Sequence, residues 1–250
     1  LAALDHGQNI SQMYPHLRGI CDLMVTDPEI TDLDNIDIAF LATPDQVGMK
    51  IIRKFYERNI PVIDFSGDFR FSNIEDYKIY AANKGMAVEH SASEMLAHTV
   101  YGLPEKNRDR IKTAHVIGNP GCFAMAMILA LLPLSEAGEI DSDTIICDGK
   151  TGVSGAGINP GRANSYPLRY EAANSYREGT HQHLVEVENI ISRSCGIEKK
   201  IFFVPQIIPM NRGIIATSYT DIKSSFTEEA LYSLYSDYYK DSPFVLISKT

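Results

Sequence analysis

The chain has 250 residues, 44% of them hydrophobic and 22% charged. That composition fits one sizeable core or two domains and excludes collagen-like, coiled-coil and disordered classes. A net charge of −9 argues against nucleic acid or a membrane surface as partner, since both require a basic face, but leaves room for a small anionic ligand held by local arginines.

No apolar stretch reaches the length of a membrane span; the longest, Phe123 to Leu134, is short and contains Pro133. The four cysteines, Cys21, Cys122, Cys147 and Cys195, are far apart and form no CxxC pair. A reduced, cytoplasmic chain is therefore expected rather than a disulfide scaffold.

In chain order, Leu1-Ala2-Ala3-Leu4 reads as the tail of a helix without its start. Ile36 to Ala42 is a short apolar run ending in Thr43-Pro44, which suits a buried parallel strand, then a loop, then a helix with proline near its first turn. Val47, Ile51, Ile52 and Phe55 recur at helical spacing, with Lys50, Arg53, Lys54 and Glu57 on the other face, and this helix ends by Asn59. Pro61 to Phe65 reads as a second strand, completing a βαβ unit. Ligands of such sheets bind beyond the carboxyl ends of the strands. Two loops are thereby nominated, Ala42-Thr43-Pro44-Asp45 and Ser66-Gly67-Asp68-Phe69-Arg70, each equally compatible with a plain strand-to-helix turn. No G-x-G-x-x-G turn precedes Ile36.

Phe71 to Met95 is expected to be loop with a short helix, and Thr99 to Glu105 an extended segment that turns at Pro104. Ala114 to Ile117 and Thr144 to Asp148 read as strands. Lys200 to Ile208 and Gly213 to Ile222 suggest an antiparallel pair in a second domain. Glu228 to Tyr239 is an amphipathic helix whose stripe, Leu231, Leu234, Tyr235 and Tyr238, is expected to pack in the core, and Phe244 to Ile247 begins a strand.

The chemistry-bearing stretch is Gly118-Asn119-Pro120-Gly121-Cys122, where a strand enters a tight turn that opens onto the apolar helix Phe123 to Leu134. A cysteine at a helix start meets unpaired amides and the positive end of the helix dipole, which favours thiolate. Position alone leaves Cys122 balanced between nucleophile and small core residue. Between Gly149 and Gly161 stand five glycines, fit either for close approach of backbone to a ligand or for a linker. Arg162, Arg169 and Arg177 form a local basic cluster that could grip an anionic substrate. His181-Gln182-His183 opens a helix with Leu184, Val187 and Ile191 on one face; histidines two apart on a helix diverge, so no metal site is expected. An acid/base role suits one of them, with Glu186 three residues beyond His183 to orient its ring.

Seven motifs stand in order along the chain: YPHLRG (14–19), VIDFSGDFR (62–70), VYGLPEKNR (100–108), GNPGC (118–122), TGVSGAG (151–157), HQH (181–183) and VPQIIPMNRGIIAT (204–217). Together and in this order they resemble the N-acetyl-gamma-glutamyl-phosphate reductase family over nearly the whole chain.

The resemblance implies an α/β fold, with a Rossmann-type NADP domain in residues 1–120. An α+β catalytic and oligomerisation domain in 121–250 would be of the glyceraldehyde-phosphate and aspartate-semialdehyde dehydrogenase type. It implies that Cys122 is the nucleophile and His183, in preference to His181, the acid/base. The cofactor NADP(H) would meet Ala42, Thr43, Pro44, Ser66 and the loop Ser154, Gly155, Ala156, Gly157. Asn119, His181, Glu186, Arg177 and Arg212 are candidates for substrate contact. The implied reaction is NADPH-dependent reduction of N-acetylglutamyl 5-phosphate to the semialdehyde through a cysteine thioester, in arginine biosynthesis, by a homo-oligomer, dimer or tetramer. The family's opening strand and glycine-rich turn, a stretch between His6 and Gly7 and the closing segments have no counterpart here, so these residues are expected to be part of a longer chain. Aspartate-semialdehyde dehydrogenase, a carrier-linked reductase of lysine synthesis and a cofactor-free subunit remain as alternatives.

Overall fold

The computed structural model describes residues 7–27, 31–157, 159, 161–223 and 225–249. The expectation for Leu1 to Leu4 lies outside them. The elements are, in order, α1 (Ile10–Met13), β1 (Ala39–Leu41), α2 (Gly48–Tyr56), β2 (Val62–Asp64), α3 (Ile74–Lys84), β3 (Thr99–Tyr101), α4 (Pro104–Ile111) and β4 (Val116–Gly118). They continue with α5 (Cys122–Glu136), β5 (Thr144–Thr151), α6 (Tyr166–Arg169), β6 (Asn174–Ser175), α7 (Leu184–Cys195), β7 (Lys200–Ile207), β8 (Ile214–Tyr219) and α8 (Glu228–Tyr239).

The chain divides into two compact units. The first comprises Leu1–Asn73, His90–Gly102 and Asp109–Asn119, and carries a parallel sheet of order β1-β2-β4-β3. Its strands are short and β-branched or apolar, and Ile52 of α2, Val62, Val116 and Phe69 are fully buried around them. Phe40 and Phe65 lie outward with ring centroids 6.3 Å apart, so β1 is buried on one side only. Pro44 stands in the loop four residues before α2, because the chain first makes a turn in which Val47 N–H donates to the Pro44 carbonyl.

The second unit comprises Ile74–Glu89, Leu103–Arg108 and Pro120–Thr250 and holds a mixed sheet of order β6-β7-β5-β8. The helix α5 is apolar on every side, the pattern of a helix enclosed by protein, and Phe123, Met127, Ile128, Leu131 and Leu132 are buried. Phe123 presses so closely on β5 that a Cβ at Gly149 would lie 2.6 Å from its ring and 2.7 Å from that of Phe203. Only glycine fits there.

Four expectations need correction. β7 and β8 are not neighbours: β5 lies between them, parallel to β7 and antiparallel to β8. The segment between them passes round the end of β5, where Val153 and Ser154 donate to the carbonyls of Met210 and Asn211. Phe244 to Ile247 forms no strand, and Phe244 and Leu246 are exposed; among the described residues no strand pairs with them. The Phe71–Met95 region contains α3, three full turns instead of a short helix, followed by a 3₁₀ segment at Ser93–His98. The stripe of α8 is half-buried, and only Tyr239, next to it, is buried outright.

Candidate active site

Within the first unit, β4 ends at Gly118, where a Cβ would fall 2.0 Å from the Phe69 carbonyl oxygen. The strand therefore leads into the Asn-Pro-Gly turn hard against the VIDFSGDFR loop. Asn119 donates its amide to the Asp64 carbonyl at 2.8 Å, and its own carbonyl accepts from Arg70 Nε at 2.8 Å. These bonds fix Asn119 at the edge of the first unit.

In the second unit Gly121 caps α5 in an extended conformation, φ −65° and ψ 146°, and Cys122 is the first helical residue. Cys122 is exposed while Gly121 and Phe123 on either side are buried. The amides of a helix's first turn have no partner within the helix, so they surround the thiol with donors. The Gly121 N–H donates to Glu186 Oε2 at 3.0 Å. A Cβ on Gly121 would meet His183 Nε2 at 2.4 Å and Glu186 Oε1 at 2.8 Å. The imidazole and the carboxylate thus both pack on the α-carbon of the residue preceding Cys122. Glu186 is 2% exposed and His183 7%.

The two histidines are not on a helix, as their spacing suggested: both precede α7, with His183 as its cap. Their rings meet edge to face with centroids 4.7 Å apart. His181 Nδ1 accepts from the His183 amide at 3.2 Å, and its ring is enclosed by Phe123, Phe203 and Tyr176 at 5.4–5.7 Å. Burial, with help from His183 and Arg177, pulls its proton affinity down to about 3, so His181 is neutral at working pH. Tyr176, half-buried beside it, is pushed up to about 12 by burial and by the charge of Cys122.

Arg177 is exposed in a left-handed backbone conformation, φ 50°, and donates to Gln182 Oε1 at 2.9 Å. Arg212 is exposed in the loop that receives the Val153 and Ser154 amides. Ser154, Gly155, Ala156 and Gly157 lie in an exposed 3₁₀ turn that follows β5, and Gly157 has φ 86°.

In the first unit Ala42 and Pro44 are exposed at the carboxyl end of β1 and Thr43 is half-buried. Ser66 is buried, and its hydroxyl is committed internally: it donates to Asp64 Oδ2 at 2.6 Å and accepts from the Asp68 amide at 3.1 Å. Asp64 is fully buried and its carboxyl is pushed up to about 6, first by burial, with the Ser66 hydrogen bond opposing and Asp68 adding to the rise. Among the described residues no cluster of His, Cys, Asp and Glu could hold a metal ion, and no helix is long and apolar enough to cross a membrane.

The semialdehyde dehydrogenase NAD-binding domain matches residues 2–114, and the semialdehyde dehydrogenase dimerisation domain matches residues 122–250, beginning at Cys122. The chain is 38% identical to an N-acetyl-gamma-glutamyl-phosphate reductase of Nitrosospira multiformis over 242 residues, which are 96% of this chain and 68% of that protein. It is 37% identical to one of Methanosphaera stadtmanae, over 98% of this chain and 69% of that one. The chain belongs to the N-acetyl-gamma-glutamyl-phosphate reductase family. Its fold is that of the semialdehyde dehydrogenases: aspartate semialdehyde dehydrogenase II of Vibrio cholerae superposes with a TM-score of 0.65 at 14% identity, over 93% of this chain and 68% of that one. The Candida albicans enzyme, solved with NADP, does so with a TM-score of 0.61 at 14% identity, over 94% and 66%.

For a member of this reductase family, sequence reasoning passed over two residues beside the GNPGC turn and HQH segment. Tyr176 stands next to Arg177, and a tyrosine amid polar loop residues carries no local signal of burial beside a cysteine. Arg70 lies in the nominated Ser66–Arg70 loop, but its reach to the Asn119 carbonyl spans 49 positions and leaves no trace in spacing.

Proposed function

We propose that the chain reduces N-acetyl-L-glutamyl 5-phosphate to N-acetyl-L-glutamate 5-semialdehyde and phosphate, with Cys122 as nucleophile and His183 as acid/base. The observation that carries this reading is the packing of His183 Nε2 on the α-carbon of Gly121, the residue before an exposed cysteine at a helix start. The names of the 36–38% identical relatives support the substrate. The Cys122 sulfur attacks the acyl carbon, the carbon–oxygen bond to phosphate breaks, and a thioester forms while first-turn amides of α5 bear the charge on the carbonyl oxygen. NADPH, when bound, supplies the hydride that reduces the thioester carbon. His183 protonates the resulting oxygen and then takes that proton back as the carbon–sulfur bond breaks and the aldehyde leaves. Glu186 holds Gly121 and His183 in register, and neutral His181 fixes the turn carrying His183.

In the first unit we assign the cofactor to Ala42, Thr43 and Pro44, with Ser66 supporting them from within. The exposed turn Ser154–Gly157 of the second unit carries the same assignment, because backbone without large side chains admits a flat ring closely. Arg177 and Arg212 are the candidates for the phosphate or α-carboxylate, and Asn119 for an orienting contact. The reading includes residues 1–120 as cofactor domain and 121–250 as catalytic domain, a cytoplasmic location and a homo-oligomer. Its test is the reverse reaction, with phosphate, NADP and either N-acetylglutamate semialdehyde or aspartate semialdehyde. The acetylated aldehyde is the preferred substrate, and Cys122→Ser lowers turnover by about a thousandfold or more. Preference for aspartate semialdehyde, or substantial activity in the serine variant, would overturn the assignment.

A further inference from the structure

We propose that Asp68 is a positioning residue for the cofactor loop, holding Ala42–Val47 in its receptive shape through carboxylate-to-amide bonds exchanged with the neighbouring loop. The inference rests on the assignment of Ala42, Thr43 and Pro44 to the cofactor. β1 and β2 are parallel neighbours with Leu41 opposite Asp64, so the loops that follow them emerge side by side. Each loop gives the other a carboxylate. Asp45 Oδ1 accepts from the Gly67 amide at 2.7 Å, and Asp68 accepts from the Gln46 amide with both oxygens, at 2.9 and 2.8 Å. The Met49 amide, in the first turn of α2, also bonds to Asp68, so one carboxylate ties the loop to the helix that follows it.

Gln46 has φ 66°, a conformation that a side chain disfavours. The grip of Asp68 on its amide compensates for that strain. Asp68 is itself immobilised: it is fully buried, its amide donates to Ser66 Oγ, and its carbonyl accepts from His90 Nε2 at 2.9 Å. His90 is held in turn, since its Nδ1 accepts from the Ala92 amide at 3.1 Å. Asp45 and Asp64 face the same carboxylate with like charge, and the Gln46 and Met49 amides, together with His90, oppose them. A buried anion in such company persists where its bonds are required. Asparagine cannot substitute, because its NH2 would confront the Gln46 N–H in place of one acceptor.

The test compares the intact protein with Asp68→Asn and Asp45→Ala, by calorimetric titration with NADPH and by steady-state kinetics. Both variants raise the NADPH dissociation constant and KM about tenfold, because the receptive loop shape is populated less often. The KM for the acyl phosphate, the rate of Cys122 alkylation by iodoacetamide and cooperative thermal unfolding stay close to wild type. Wild-type NADPH affinity in Asp68→Asn would overturn the inference while leaving the cofactor assignment standing. A parallel loss of cofactor affinity, acyl-phosphate affinity and alkylation rate would also overturn it, since that is general disruption. If the unaltered protein binds no NADPH, the assignment of the loop falls first and the inference with it.

Discussion

His181 and His183 stand two positions apart in different surroundings. His183 presents Nε2 to the α-carbon of Gly121, beside Cys122, whereas His181 is enclosed by aromatic rings and spends Nδ1 on the backbone of its neighbour. The burial of His181 has a consequence for stability. Its proton affinity is near 6.5 unfolded and about 3 folded, so between those pH values the unfolded chain binds the extra proton. Stability therefore falls as pH drops through that window, by at most about 1.4 kcal/mol per pH unit from this group. His181→Gln offers a carboxamide oxygen to the same amide and has no proton to gain, so its urea midpoint declines less between pH 7 and pH 4.5 than that of wild type. An equal decline in both proteins would show that His181 does not contribute.

At the level of elements, α5 joins Cys122 to the core, and it does so across a proline. Pro133 has no N–H for the Leu129 carbonyl four residues back. The Tyr239 hydroxyl of α8 donates to that carbonyl at 2.6 Å, and Tyr235 donates to the next one, Ala130, at 2.6 Å. Removing the hydroxyl in Tyr239→Phe leaves a half-buried carbonyl unsatisfied and costs about 1–2 kcal/mol in denaturant unfolding. In a Pro133→Ala background the helix supplies its own N–H, and the same change costs much less. Equal costs in the two backgrounds would refute this account of the α5–α8 contact.

Sequence made α5, the strand leading to it and the βαβ unit legible, because each rests on local periodicity and turn residues. It did not reveal that β5 separates β7 from β8, because the order of strands in a sheet is settled by long-range pairing. Nor did it show that the α8 stripe is half-covered or that Tyr239 serves Pro133, since a tyrosine stripe reads alike for apolar packing and for hydroxyl donation. In the candidate site, the helix start at Cys122 was legible from the Asn-Pro-Gly turn and the apolar run that follows it. The commitment of Ser66 inward and of Asp68 to Gln46 was not, because a loop's bonds across a sheet leave no pattern along the chain.

For the molecule as a whole, one face of the mixed sheet is uncovered within its own unit. Ile146 stands opposite Tyr219 on one side and Phe202 on the other, and Ile215 continues the face; all four are about half exposed. Asp148, bonded to Lys150 and Gln206, adds a polar centre. An apolar sheet face with a small polar centre suits a second copy of the chain, and it belongs to the part matched by the dimerisation domain. Phe202→Glu in the middle of that face shifts the molecule toward monomer in sedimentation velocity while the unfolding transition stays cooperative. An unchanged sedimentation profile would assign self-association to another surface.

The claim on which the whole account depends is covalent chemistry at Cys122. The direct measurement is to mix the protein with N-acetylglutamyl phosphate without NADPH, quench in acid and map the acylated peptide by mass spectrometry. The account predicts one N-acetylglutamyl group per chain, on the peptide containing Cys122, released by hydroxylamine and absent in Cys122→Ser. An unmodified Cys122 peptide in a protein shown to turn over, or the acyl group on another residue, would contradict it.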